Sequence, residues 1–105
     1  MVKIEETESI SAGLDYPGIS QLHCFLKDTK RARYTAASDE EALRAYKLVT
    51  KLEKLRPSLE PSHAFSVAIA EAKRLREDTI VVVNSCGDAY KDRAIIERRL
   101  GKRYV

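Results

Sequence analysis

Four consecutive β-branched residues, Ile80, Val81, Val82 and Val83, constrain the fold of this chain more than any other stretch. The run lacks the alternation of a strand with one wet face. It suits a parallel strand buried on both faces. Asn84-Ser85-Cys86-Gly87-Asp88 stops it with turn formers, and a helical pattern resumes near Tyr90. In open α/β sheets, ligands lie in the crevice beyond the carboxyl ends of such strands. Ser85, Cys86, Gly87 and Asp88 therefore hold the positions where a site is expected. A polar turn with no ligand explains the same residues, and on this stretch alone that plainer reading is favoured.

The flanking segments supply helices. Ser38 with Glu41 forms a capping box, opening a helix that should run to about Leu55 with Ala42, Ala45, Tyr46, Val49 and Leu52 inward. Pro57 ends it. Glu60-Pro61-Ser62 opens another helix, whose inner face is Ala64, Val67, Ala68, Ala72 and Leu75. A last helix from about Lys91 to Leu100 buries Ala94, Ile95 and Leu100, and Gly101 stops it. Ile19 to Asp28 suits a short helix and Ala32 to Ala37 a short strand. Lys3 to Ser11 alternates weakly, so Ile4 to Ile10 is a possible third strand, and Ala12 to Gly18 is a loop. The expected fold class is thus α/β, a small mainly parallel sheet flanked by helices, in a single domain over residues 1–105. Three helices give meagre cover to a strand apolar on both faces, so the unit is expected to pack against another chain.

Composition narrows the function. No apolar run is long enough to span a bilayer, and the first residues carry no signal-peptide core, so a cytoplasmic location without membrane contact is expected. A formal charge of +3 over 105 residues is too mild to imply nucleic acid. The basic runs Lys73-Arg74-Arg76 and Arg98-Arg99-Lys102-Arg103 read as solvated helix faces, so nucleic-acid binding ranks a weak third among the functions considered. Two cysteines, Cys24 and Cys86, make no disulfide framework, and neither they nor His23 and His63 have zinc-finger spacing. Gln21 and Asn84 are the only side-chain amides beside abundant Lys, Arg and Glu, a thermophile-like balance.

One string is far more specific. Ser9-Ile10-Ser11-Ala12-Gly13-Leu14-Asp15-Tyr16-Pro17-Gly18 resembles the S-I-S-A-G-L-D-Y-P-G segment of the tryptophan synthase β subunit family, which are pyridoxal-phosphate enzymes of fold type II. The resemblance continues through His23 to Tyr34, through Asp39-Glu40-Glu41-Ala42-Leu43, and through Leu59-Glu60-Pro61-Ser62-His63-Ala64. It ends at Val82-Val83-Asn84 and the loop after it. It covers nearly all of this chain but only about the last quarter of the family's. It implies part of that family's C-terminal domain, without the Schiff-base lysine, the glycine-rich phosphate loop or the acid/base glutamate.

The resemblance also implies roles. Asp15 would belong to the loop that meets the substrate, and the backbone carbonyls of Tyr16 and Gly18 would face a monovalent cation. Glu60 would lie beside the cofactor ring. Cys86, or Ser85 if the gap is placed differently, would meet the pyridine nitrogen, with Gly87 beside them. A weakly acidic partner there leaves the nitrogen unprotonated and favours β-elimination from serine. Each residue also has a purely structural reading: Asp15 as a turn former, Glu60 as a helix cap, His63 as a packed histidine, Cys86 as a small thiol. The chain departs from the family at Asp88 and Ala89, where the family has an arginine and a glycine, at Pro61, where it has a serine, and at Glu8, where it has a histidine.

Two functional classes remain. One is a C-terminal piece that binds no pyridoxal phosphate and does no chemistry alone, but supports condensation of serine with indole when a complementary N-terminal chain supplies the rest. The other is a non-enzymatic interaction protein derived from that family, with a homo-oligomer as the expected partner arrangement.

Overall fold

The computed structural model describes residues 3–105, and among them it contains helices and extended segments but no strand and no sheet. Four α-helices follow one another: α1 (Gln21–Asp28), α2 (Asp39–Glu53), α3 (Leu59–Ala72) and α4 (Arg93–Leu100). Short 3-10 turns cover Ala12–Leu14, Ala89–Asp92 and Lys102–Tyr104.

The expected α/β class is therefore corrected. A strand exists only through the ladder it shares with a neighbour, and the β-branched run finds no such neighbour here. Among the described residues, the backbone of residues 80–84 and of residues 33–37 pairs with no other backbone. Ile80 is 87% exposed and Val82 88%, so the run expected to be covered on both faces lies open. The segment from Ile4 to Ile10 adds no strand either, and Ile4 is exposed.

The helices follow local chemistry closely. Ser38 Oγ accepts the Glu41 N–H while the Glu41 carboxylate accepts the Ser38 N–H, so the capping box at α2 is complete. Those bonds hold the Glu41 carboxyl below its ordinary range. Helix α2 stops at Glu53, before Leu55, because Lys54 turns into the left-handed region at φ 59°. Ala42, Ala45, Tyr46 and Val49 are buried as the periodicity requires, Leu43 joins them, and Leu52 is exposed.

Leu43, Tyr46, Leu59 and Ile96 form the core, with Ile10, Ile95, Leu100, Tyr104 and Val105 packed around it. Tyr46 ties α2 to the C-terminal turn, its hydroxyl donating to the Tyr104 carbonyl at 2.6 Å. Helix α3 departs from expectation. Its first turn (Leu59, Pro61, Ser62) is buried, whereas Ala64, Ala72 and Leu75 are exposed. In α4 the buried residue is Ile96 rather than Ala94. Helix α1 buries nothing, and its apolar side (Leu22, Phe25) faces outward.

Candidate functional site

The start of α3 organises the site. Ser58 is its N-cap residue, yet its hydroxyl makes no cap hydrogen bond. The reason lies three positions on: Pro61 has no N–H to offer. Ser58 Oγ instead donates to the Cys86 carbonyl at 2.8 Å. The first free amide of the helix, Leu59 N–H, is taken by the buried Asp92, whose Oδ2 lies 2.8 Å away. A carboxylate there also suits the helix dipole. Pro61 thus leaves the Ser58 hydroxyl free to hold the loop that carries Cys86.

Glu60 is the second residue of α3. Its Oε1 accepts the Gly13 N–H at 2.9 Å, and Lys91 Nζ lies 2.8 Å from Oε2 and 3.0 Å from Oε1. The same ammonium donates to Asp92 Oδ1 at 2.7 Å. Burial alone would raise the Glu60 carboxyl. Lys91 and the Glu60 and Gly13 amides outweigh it and hold the group at about 2. Ser11 is fully buried, and its Oγ has no hydrogen bond of good geometry. Burial would likewise lower Lys91, but Asp92 and Glu60 raise it, so its amine stays protonated. Gly13 lies close against Glu60: a Cβ there would sit 2.8 Å from Glu60 Cγ, so the Glu60 side chain would have to shift.

Gly87 closes the other side. It adopts φ +85°, and a Cβ on it would come within 2.9 Å of Ser58 Oγ, so both conformation and space call for glycine. Asp88 then starts the next turn by accepting the Tyr90 N–H at 2.8 Å. His63 Nδ1 donates to the Leu59 carbonyl at 2.7 Å, which fixes its ring along α3.

The structure thus gathers Glu60, Gly87 and the Cys86 backbone around the first turn of α3, with Ser85 and Cys86 exposed beside them. Asp15, Tyr16 and Gly18 lie on an exposed loop, and the Asp15 side chain has no hydrogen bond or ion pair among the described residues. Gly13 connects that loop to Glu60. Sequence reasoning missed Lys91, Asp92, Ser58 and Gly13 as site members. Lys91 and Glu60 are 31 positions apart, and no local spacing announces such a pair. The one available signal was Pro61, which denies Ser58 its ordinary cap.

The basic runs are largely paired: Arg74 with Glu71, Arg76 with Asp78, Arg99 with Glu40 and Lys102 with Glu97. No helix among the described residues is long and apolar enough to cross a membrane.

No family model matches the chain. Individual proteins match well. The chain is similar to the tryptophan synthase beta chain of Bordetella petrii, 42% identical over 102 residues, which is 97% of this chain and 26% of the relative. That of Rhodopseudomonas palustris is 45% identical over 97% of this chain and 25% of its own. That of Cereibacter sphaeroides is 48% identical over 94% and 24%. The chain spans about a quarter of the length of these relatives, at their C-terminal end.

Proposed function

Because this chain is homologous to the C-terminal quarter of the tryptophan synthase β chains, we propose that it forms one wall of a pyridoxal-phosphate site and does chemistry only together with the three quarters that precede it in those relatives. The observation that carries the reading is the state of Lys91. A Schiff base with an aldehyde needs a neutral amine, and Lys91, the one lysine at this site, is held as an ammonium between two carboxylates 2.8 and 2.7 Å away.

The residues fit a wall for the ring end of such a cofactor. Glu60 is fixed as a carboxylate by Lys91 and Gly13, so it presents a constant negative charge beside the ring. Ser85 or Cys86, both exposed, can meet the pyridine nitrogen with a hydroxyl or a thiol, and Gly87 lets the loop that carries them close against Ser58. A weak acid there leaves the nitrogen without a proton. Asp15 sits on a loop whose base is tied to Glu60 through Gly13, so substrate contact at Asp15 can be transmitted to the cofactor wall. The carbonyls of Tyr16 and Gly18 can face a monovalent cation. Bound in the completed site, pyridoxal phosphate supplies the electron sink for replacing the hydroxyl of L-serine with indole.

The test is to coexpress this chain with the N-terminal three quarters of the Cereibacter sphaeroides relative and assay tryptophan formation from serine and indole. Product from the pair and from neither half alone is expected. A pair that forms but makes no tryptophan would overturn the catalytic reading.

A further inference from the structure

Against the 3-10 turn Ala89–Asp92 lies a cavity of about 190 Å³ that shares no residue with the site at α3. Its wall is built on the core. Tyr46 and Ile96, 2% and 1% exposed, line it with Ala89 beside them. The Tyr46 hydroxyl is taken up by the Tyr104 carbonyl, so this wall presents ring and hydrocarbon rather than a free donor. An apolar cavity of about 150 Å³ holds a benzene ring. One of about 190 Å³ has room for a ring and a short arm.

The rim sets the charge. Arg56, in the loop after α2, and Arg93, the first residue of α4, line the same cavity and are exposed. Arg33, Arg74, Arg76 and Arg99 each have a carboxylate partner. Arg56 and Arg93 have none among the described residues. Arg93 lies over the Tyr90 ring, 5.9 Å from its centroid, which steadies the guanidinium beside the cavity that Tyr90 also lines. Asp92 does not neutralise this pair, because its two oxygens are held by the Leu59 N–H and the Lys91 ammonium. No acidic side chain lines the cavity.

Two unpartnered guanidiniums at the mouth of an apolar cavity suit a carboxylate carried on an apolar body. An α-ammonium on the same ligand would meet two like charges and no acid, which selects against amino acids. The Tyr46 and Tyr90 rings favour an aromatic body over an aliphatic one.

We propose that this cavity binds a small aromatic carboxylic acid without an amino group, its ring against Tyr46, Ile96 and Ala89 and its carboxylate between Arg56 and Arg93. The site is separate from the one at α3, and the proposal stands or falls independently of the function given above.

The test titrates phenylacetate into the nitrogen-15-labelled chain at neutral pH and follows the amide resonances. Saturable shifts centred on Ala89, Tyr90, Arg93 and Ile96 are expected. Phenylacetamide, which keeps the shape and loses the charge, and phenylalanine, which adds the ammonium, should each bind at least tenfold more weakly. Arg56→Gln and Arg93→Gln should each weaken phenylacetate about fivefold, and together at least about tenfold. Both residues are exposed, so the spectrum of the folded chain should otherwise be unchanged. Ala89→Leu, which fills the cavity, should abolish binding. Absence of saturable shifts would overturn the proposal, as would shifts centred elsewhere. So would phenylacetamide or phenylalanine binding as tightly as phenylacetate, or a doubly substituted chain that binds like the wild type.

Discussion

At the scale of single residues, the Glu60 carboxylate is the centre of the account. Its folded value of about 2 lies below the ordinary 4.5. A depressed carboxyl stabilises the fold above its unfolded value and loses that contribution as pH falls through the folded one. The loss should therefore run from about 4.5 down to about 2. With Lys91 42% exposed, solvent screening reduces the contribution to on the order of 1 kcal/mol. Lys91→Met should move the Glu60 titration, followed by carboxyl-carbon NMR, back toward 4.5 by at least one pH unit. An unmoved titration would mean the pair does not form in solution. Gly13→Ala should displace the Glu60 side chain and expose the residue 13 amide, raising its exchange rate by about tenfold, the effect of losing one hydrogen bond of about 1.4 kcal/mol. Cys86 and Ser85 were placed by resemblance. The structure adds that the Cys86 carbonyl is held by Ser58, which neither residue's own chemistry could reveal.

At the scale of elements, stability should concentrate where α2, α3 and α4 meet. Ile96 is 1% exposed, and Ile96→Ala should cost about 2–4 kcal/mol in urea unfolding. Tyr46→Phe removes the hydroxyl that holds the Tyr104 carbonyl and should cost about 1 kcal/mol. A loss below about 0.3 kcal/mol would place that bond in water rather than in the core. These elements also show what the sequence could convey. The α2 start was legible because Ser38 and Glu41 satisfy each other within one turn. The buried stripe of α2 was legible because α3 covers it. The stripe expected on α3 was not, because Ala64, Ala72 and Leu75 have no cover among the described residues. The Ile80 to Val83 run was misread as a strand for the same reason. Its composition suits a covered strand, but among the described residues nothing covers Ile80 or Val82.

At the scale of the whole molecule, shape and chemistry agree. The radius of gyration is 15.3 Å, against about 13 Å for a compact chain of this length, and the molecule is a slab of 46 × 39 × 19 Å. A slab of this kind has a small core and much open surface, including Val82 and, on α1, Leu22 and Phe25. Its urea m-value should fall below that of a compact domain of equal length, because less surface is newly exposed on unfolding. An m-value typical of a compact domain would show that the faces are covered in solution. On the function proposed above the site is one wall only, with Glu60 fixed as a carboxylate and an amine, Lys91, that two acids keep charged. Equilibrium dialysis of the isolated chain against pyridoxal phosphate tests this most directly. No saturable uptake is predicted for the chain alone, with uptake of one cofactor per pair once the complementary N-terminal portion is present. Stoichiometric binding by the isolated chain, with the absorbance of a Schiff base that Lys91→Met abolishes, would contradict the account.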